Sequence, residues 1–407
     1  MKPLKLKPNQ EYYIWASYAL LGDHLEPEKN VFLEIKDSSI NRIHNLKREE
    51  LPSDILSSCN FFSFGKEVTL LPSLIDAHIH LALNGIDFNQ ARASWSTEEY
   101  RHLIIKNAFS QLLDAGIGTV RDGGDSAGLN LEAKVLVDNG LLDGPQVIAT
   151  GKAIREKGGY GSFLGEAYTA LEAIPGQVEE AHRSGADQVK VVISGIVSFN
   201  RYGLVKGPLM SKEALKEVVS SAHRHGLKVM AHASSNEAVN VAIEAGVDSL
   251  EHGYFINAET LKKMADQGIA WVPTIIPVAA QANLPFSSFR LKSEIEIVEK
   301  VYRRQQAMLE TALEAGVPLG IGTDAGAAGV KHGTGLIEEM LIYADALAGD
   351  NKAVLRAATS VNASIVGKEK AVGALSSGKK AGLIAVRGNP LDDLSVLKNI
   401  EAHFLAS

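Results

Sequence analysis

Apolar and polar positions follow one repeating unit over most of this chain: an amphipathic segment of helical period, a glycine, and at once a short apolar run. From about residue 114 the unit recurs at DAGIGTV, RSGADQVKV, RHGLKVMA, EAGVDSLEH, DQGIAWVP and EAGVPLGIG, with Gly116, Gly185, Gly226, Gly246, Gly268 and Gly316 at the joints. LDGPQVIATG, through Gly144 and Pro145, supplies another. Glycine just past a helix end provides a left-handed cap, and helix-to-strand joints this short imply parallel strands covered by outer helices. In SKEALKEVVSSAHRHG, Ser211 can cap, Glu213 sits where the helix dipole favours negative charge, and Leu215, Val218, Val219 and Ala222 form one apolar stripe. NAETLKKMADQG repeats the design with Asn257, Leu261, Met264 and Ala265.

Counting LLPSLIDAHIHL as the first strand and GIGTDAG as the last gives eight strands between about residues 70 and 326. That number predicts an α/β fold, a (β/α)8 TIM barrel. The flanks differ: YYIWASYALL, VFLEIKDSSINRI and KEVTLLP read as short strands, as does GALSSGKKAGLIAVRGNPLDD near the other end. Two strand-rich ends bracketing a barrel predict a small composite β-sandwich domain of residues 1–70 plus 366–407, with the barrel over 71–365.

A chain of 407 residues with 45% hydrophobic and 22% charged content can bury a core larger than that of one ordinary domain. The net charge of −7 offers no basic surface for a phosphate backbone, which argues against a nucleic-acid partner and for small-molecule chemistry. Cys59 is the only cysteine, so there is no disulfide framework and the expected setting is cytoplasmic. MKPLKLKPNQ is followed by a broken stretch instead of a continuous apolar segment, and no uncharged run is long enough to span a bilayer. Neither secretion nor membrane insertion is expected, and the composition leaves room for a homo-oligomer.

Six potential metal ligands stand at the ends of the predicted strands: His78 and His80 in LIDAHIHL, Lys190 in DQVKVVIS, His232 in KVMAHAS, His252 in DSLEHGYF and Asp324 in GIGTDAG. A barrel collects its chemistry at the C-terminal rim of its strands, so residues far apart in sequence can converge there. Imidazole and carboxylate are the ligands that divalent zinc, manganese or iron take in catalytic sites. His78 and His80, two apart on a strand, point to one face. Alternation in QVKVVIS puts Gln188, Lys190 and Val192 on one side, where a buried ammonium is costly unless paired or converted. Two readings stay open for Lys190. Carbon dioxide can turn its amine into a carbamate anion that bridges two cations, or the ammonium can form a salt bridge with Asp324 or a neighbouring glutamate. Singly, His232 and His252 read as hydrogen-bonded core histidines and Asp324 as a helix cap; at one level of one rim they read as a metal centre.

The ordered set H-x-H, lysine, histidine, histidine, aspartate resembles the amidohydrolase superfamily over almost the whole chain, in its binuclear subtype with a carboxylated lysine. The resemblance implies that His78, His80 and Asp324 hold the more buried ion, that His232 and His252 hold the more exposed one, and that N6-carboxylated Lys190 bridges them. Two divalent ions, zinc as the first expectation, are the implied cofactor. The run GLKVMAHAS, the phrase AGVDSLEHG and the ending GNPLDD look most like the Xaa-Pro dipeptidase-like and metal-dependent carboxypeptidase branch, which includes imidazolonepropionase-related sequences. Gly158, Gly159 and Tyr160 stand where that branch has a glycine-glycine-histidine loop; Gly195 and Ile196 replace a double glycine; Gly382 replaces an aspartate.

The implied function is hydrolysis of the C–N amide bond of a small substrate, a dipeptide or an N-acyl amino acid, by a metal-bridging hydroxide, with Asp324 accepting its proton and passing it to the departing amine. Cyclic-amide, lactone or aryl-urea hydrolysis on the same centre is the alternative. A mononuclear deaminase fits less well, because HASSN lacks a glutamate shortly after His232. Specificity is expected from the loops: Arg201 as a carboxylate clamp, and Tyr160 or Tyr202 as donors to a substrate oxygen, each also explicable as a solvated loop residue. His332 is left without a role.

Overall fold

Long strands near the start of the chain pair as hairpins, and their further partners come from its far end. The computed structural model describes residues 3–207 and 209–406. Glu11–Leu21 pairs antiparallel with Glu26–Lys36, which pairs with Ser39–Asn45. Val68–Pro72 joins Leu383–Arg387 antiparallel, with Ile384 opposite Leu71, and Ile400–Ala406 continues the sheet to Leu4–Leu6. The two ends of the chain thus meet in one eight-stranded sheet. Its inward face carries Leu6, Ile14, Leu33, Leu70, Leu383 and Phe404, all buried together. At about 25 cal/mol per Å² of apolar surface removed from water, such a cluster is what holds the two ends in register.

Between those ends, strands and helices alternate. A six-stranded parallel sheet runs in the order Gly165–Ala167, Ala153–Arg155, Gln188–Val192, Lys228–Ala233, Ser249–His252, Ala270–Val272, and a three-stranded parallel sheet contains Leu74–Ile79, Ile117–Asp122 and Gln146–Ile148. The mixed α/β architecture follows from the junctions. Six of the seven glycines expected at the joints have positive φ, from 68° to 86°; Gly144 does not, and Gly140, at φ 67°, takes the left-handed position after the helix Leu129–Asp138 instead. Gly246 illustrates the cap: at φ 81° its N–H reaches back to the Ala242 and Ile243 carbonyls, ending Asn236–Ala245 before Ser249–His252 begins. Ser211 caps Lys212–Arg224 by accepting from Ala214 N, and Asn257 caps Ala258–Gln267 by accepting from Thr260 N. The predicted stripes are buried, Leu215, Val218, Val219 and Ala222 on one helix and Leu261 and Met264 on the other.

The segment GIGTDAG differs from the strand its sequence suggests. Residues 318–325 form no regular strand but thread between Ala270–Val272 and Leu74–Ile79. Trp271 N donates to Pro318 O and Gly320 N to Trp271 O on one side, while Ala77 N donates to Ile321 O and His80 N to Ala325 O on the other. A regular ladder is broken because side chains and single residues take over. Asn362 Nδ2 donates to both Ile75 O and Ile321 O, and Asp324 adopts φ 55°. Opposite this segment, Asp187 N donates to Ala149 O, tying the end of Gln146–Ile148 to the start of Gln188–Val192. No helix among the described residues is long and apolar enough to cross a membrane.

Candidate metal centre

Parallel strands put their C-terminal ends on one rim, and there the expected side chains meet. His78 lies on Leu74–Ile79 and His80 just beyond it; Asp324 follows the irregular segment, and its N–H donates to His78 O at 2.7 Å. One ligand atom each from His78, His80 and Asp324 lies within 4.8 Å of the others. Asp324 Oδ1 is 3.3 Å from His80 Nε2 and 3.7 Å from His78 Nε2. The His252 ring stands 5.1 Å from His78 and 4.5 Å from His232, centroid to centroid. Lys190, on Gln188–Val192, lines the same cavity of about 580 Å³ with all four imidazoles and Asp324. The six predicted residues are therefore brought together. His252 and Asp324 both hold left-handed backbone, at φ 69° and 55°, a conformation unusual outside glycine that clusters at functional sites.

Each imidazole is oriented from outside. Glu251 Oε2 accepts from His78 Nδ1 at 2.7 Å, Gly124 O from His80 Nδ1 at 3.2 Å, while His252 Nδ1 meets Thr274 Oγ1 at 2.6 Å and His232 Nε2 meets Gly195 O at 3.3 Å. Glu251 is itself held by Arg121, whose guanidinium is buried and also donates to Ala77 O, Gln188 Oε1 and Ser249 Oγ. Burial, and then the Lys190 charge, pull His78 well below its ordinary pKa and His232 down to about 4; burial with the neighbouring imidazoles does the same to His252. Three imidazoles are thus kept neutral, the form that binds cations. Burial pushes His80 down too, but its hydrogen bond and proximity to Asp324 outweigh this and raise it. Burial pushes Asp324 up, yet the His80 hydrogen bond and the His78, His80 and Lys190 charges keep it below its ordinary value. Burial pulls Lys190 down to about 8, and among the described residues no carboxylate forms a direct ion pair with it.

The donor set fits a divalent cation. His78 Nε2 is buried with no hydrogen-bond partner, a cost that a coordinated cation removes. The space beside it is kept open by Gly123, where a Cβ would stand 2.7 Å from His80 Cε1 and 3.3 Å from His78 Nε2. Gly123→Ala is expected to weaken divalent-cation affinity by about 10-fold or more, by pushing the imidazoles off their positions. Calorimetric titration with zinc would measure it; unchanged affinity would mean that the open space has no bearing on the ligands.

The loop residues fare differently. Tyr160 lines the cavity with its ring 5.5 Å from His232, and burial, then Asp324, keeps its hydroxyl protonated. The loop after Lys190 folds into a small hairpin through the Val197–Val205 bridge and the Gly195 N to Lys206 O bond. That hairpin carries Arg201 out to solvent and leaves Tyr202 edge-on to Phe255, so among the described residues neither forms part of the cavity wall. His332 Nε2 lies 3.3 Å from His80 O, bracing the backbone behind a ligand. Sequence reasoning missed Glu251, Arg121, Tyr254 and Thr274. The signal available was a charged residue inside an apolar strand, in TVRDG and DSLEHG. Tyr254, stacked on His252 at 5.7 Å with 10° between planes, gave none.

The Amidohydrolase family model matches residues 69–404, most of the chain. Uncharacterized proteins of Mycobacterium tuberculosis and Mycobacterium bovis are 29% identical over 267 residues, and the match spans 65% of this chain and 66% of theirs, just under two thirds of their length. An ochratoxinase of Aspergillus niger is 25% identical, covering 98% of this chain and 87% of that protein. A crystal structure of a Xaa-Pro dipeptidase with bound methionine in the active site superposes with a TM-score of 0.82 at 26% identity, covering 98% of both chains. With a family match over residues 69–404 and an imidazole–carboxylate cluster built at the rim of its parallel strands, the chain belongs to the amidohydrolase family.

Proposed function

We propose that this chain hydrolyses the amide C–N bond of a small substrate, a dipeptide or an N-acyl amino acid, with the help of two divalent metal ions, zinc the first candidate. The observation that carries this reading is the convergence of His78, His80, Lys190, His232, His252 and Asp324 on one cavity, with His78 Nε2 otherwise orphaned. The resemblance to a Xaa-Pro dipeptidase and an ochratoxinase supports the substrate class. In this reading residues 71–365 close as a (β/α)8 barrel, with 318–325 as its eighth member hydrogen-bonded to both neighbours. Residues 1–70 and 366–407 then form the composite β-sandwich domain.

His78, His80 and Asp324 would hold one ion, His232 and His252 the other, and Lys190 would bridge them as a carbamate. Carbamate formation requires a neutral amine: its nitrogen attacks carbon dioxide, an N–C bond forms, and one proton leaves. Burial favours that neutral amine by pulling Lys190 down to about 8. Bound divalent ions would supply Lewis-acid polarisation of the scissile carbonyl and a water acidified toward neutral pH. Asp324, kept ionised, takes the proton of the attacking water and delivers it to the departing nitrogen as the C–N bond breaks. Tyr160, protonated at neutral pH, donates to a substrate oxygen from the wall beside His232.

Purified protein is expected to carry about two divalent ions per chain and to lose its hydrolysis of N-acyl amino acids or dipeptides on chelation, regaining it with added zinc. Elemental analysis paired with an amide-hydrolysis screen tests this. A stoichiometry near one, or full activity after chelation, would overturn the binuclear reading. The intracellular, small-molecule setting expected from composition belongs to the same proposal.

A further inference from the structure

The cavity has a graded wall. From the metal cluster outward, His232 meets Tyr160 at 5.5 Å, Tyr160 meets Phe163 at 5.8 Å in an edge-on contact, and Phe163 meets Phe88 edge-on at 4.9 Å. Phe88 is followed by Arg92, whose guanidinium carbon lies 5.8 Å from the Phe88 ring centroid. A second ring grips the same guanidinium: Trp95 lies 5.9 Å away and is fixed by its own bond from Nε1 to Ala82 O at 2.8 Å. Phe88, Phe163, Tyr160 and Arg92 all belong to the cavity wall. Polar chemistry is thus confined to the floor, an aromatic strip covers the side, and a cation stands at the rim.

Arg92 is exposed, and among the described residues it makes no ion pair or hydrogen bond through its side chain. Its planar fork lies near two rings with its donors unspent. Such a group recognises carboxylate in a bidentate fashion. Lys190, the other cation of the wall, is buried at the floor and committed to the cluster.

We propose that Arg92 is the specificity residue for an anionic substrate, and that the preferred amide carries a carboxylate separated from its scissile bond by an apolar, ring-containing body that lies along Tyr160, Phe163 and Phe88. This rests on the amide-hydrolase reading of the same cavity and narrows it. A dipeptide or simple N-acyl amino acid carries its carboxylate next to the scissile bond, so within the amide reading the strip and Arg92 favour longer, aromatic amides whose carboxylate lies farther from that bond.

The test uses acetanilides bearing a carboxylate-terminated chain at the para position, each paired with its methyl ester, on the metal-loaded protein. The acid is expected to have a KM about 10-fold below that of its ester. Arg92→Ala should raise the KM of the acid about 10-fold and bring the acid-to-ester ratio near one; Arg92→Lys should recover part of the preference. Calorimetric binding of the corresponding sulfonamide acid, which cannot be hydrolysed, provides a second reading independent of turnover. Tighter binding to wild type than to Arg92→Ala supports the assignment even where no amide is cleaved, an outcome that would instead sink the amide-hydrolase reading. Equal binding to both proteins, or an equal effect of the variant on acid and ester, overturns the role of Arg92.

Discussion

Replacing Asp324 by asparagine is expected to lower kcat for amide hydrolysis by about 10³-fold while leaving the fold intact. Position 324 has two separable demands. One is conformational: φ is 55°, and the backbone N–H must reach His78 O at 2.7 Å to seat the residue beside the imidazoles. Asparagine adopts left-handed backbone nearly as readily as any residue after glycine, so this demand is met. The other is charge. The carboxylate is kept ionised by the His80 hydrogen bond and by the His78, His80 and Lys190 charges acting against burial, and only an anion can take a proton and return it. Asparagine keeps the shape and removes the base. Alanine would mix the two effects, adding backbone strain to lost chemistry. The measurement is kcat at saturating substrate and saturating zinc, with an unfolding curve for each protein. Unchanged unfolding and an unchanged zinc stoichiometry, with kcat reduced a thousandfold, support Asp324 as proton carrier, whereas a lost ion assigns the effect to its ligand role; more than about a tenth of wild-type kcat would remove it from the chemistry.

Much of this arrangement is legible in the residues because its determinants are local. A glycine joint is a cap whether or not its neighbours are known, and six of the seven joints read from the sequence hold left-handed backbone, Gly144 being the exception. Imidazoles and carboxylates at strand ends are likewise visible as residue types in place. What escapes is whatever depends on distant partners. GIGTDAG reads as a strand, yet residues 318–325 share their hydrogen bonds between two flanking strands and with Asn362, about forty positions away in sequence. Arg201 looks well placed after Lys190, but the hairpin through Val197 and Val205 turns it outward. Arg92 takes the rim position instead, from a short helix between the first two strands of the three-stranded sheet, where no motif marks it. The pairing of Arg121 with Glu251 spans 130 residues and shows in the sequence only as two charges inside apolar strands.

That pairing yields the second large effect. Arg121→Leu is expected to destabilise the protein by about 3–5 kcal/mol, because it leaves Glu251 as a buried anion without its counter-ion. The guanidinium is fully buried and donates to Ala77 O at 2.6 Å, Ser249 Oγ at 2.8 Å and Glu251 Oε1 at 2.8 Å. Burial lowers the Arg121 pKa and the neighbouring Glu251 charge opposes that fall. The second Glu251 oxygen faces His78 Nδ1 at 2.7 Å, which transmits the defect to the metal cluster. Two measurements separate fold from site. In chemical denaturation, adding Glu251→Gln to Arg121→Leu should restore part of the lost stability, since the orphaned charge is then gone. In metal titration, Glu251→Gln alone should weaken zinc affinity by about 10- to 100-fold, because the neutral amide orients His78 but no longer enhances its basicity. If the two substitutions simply add in stability, the ions are not coupled, and if Glu251→Gln leaves zinc affinity unchanged, His78 is held by its strand alone.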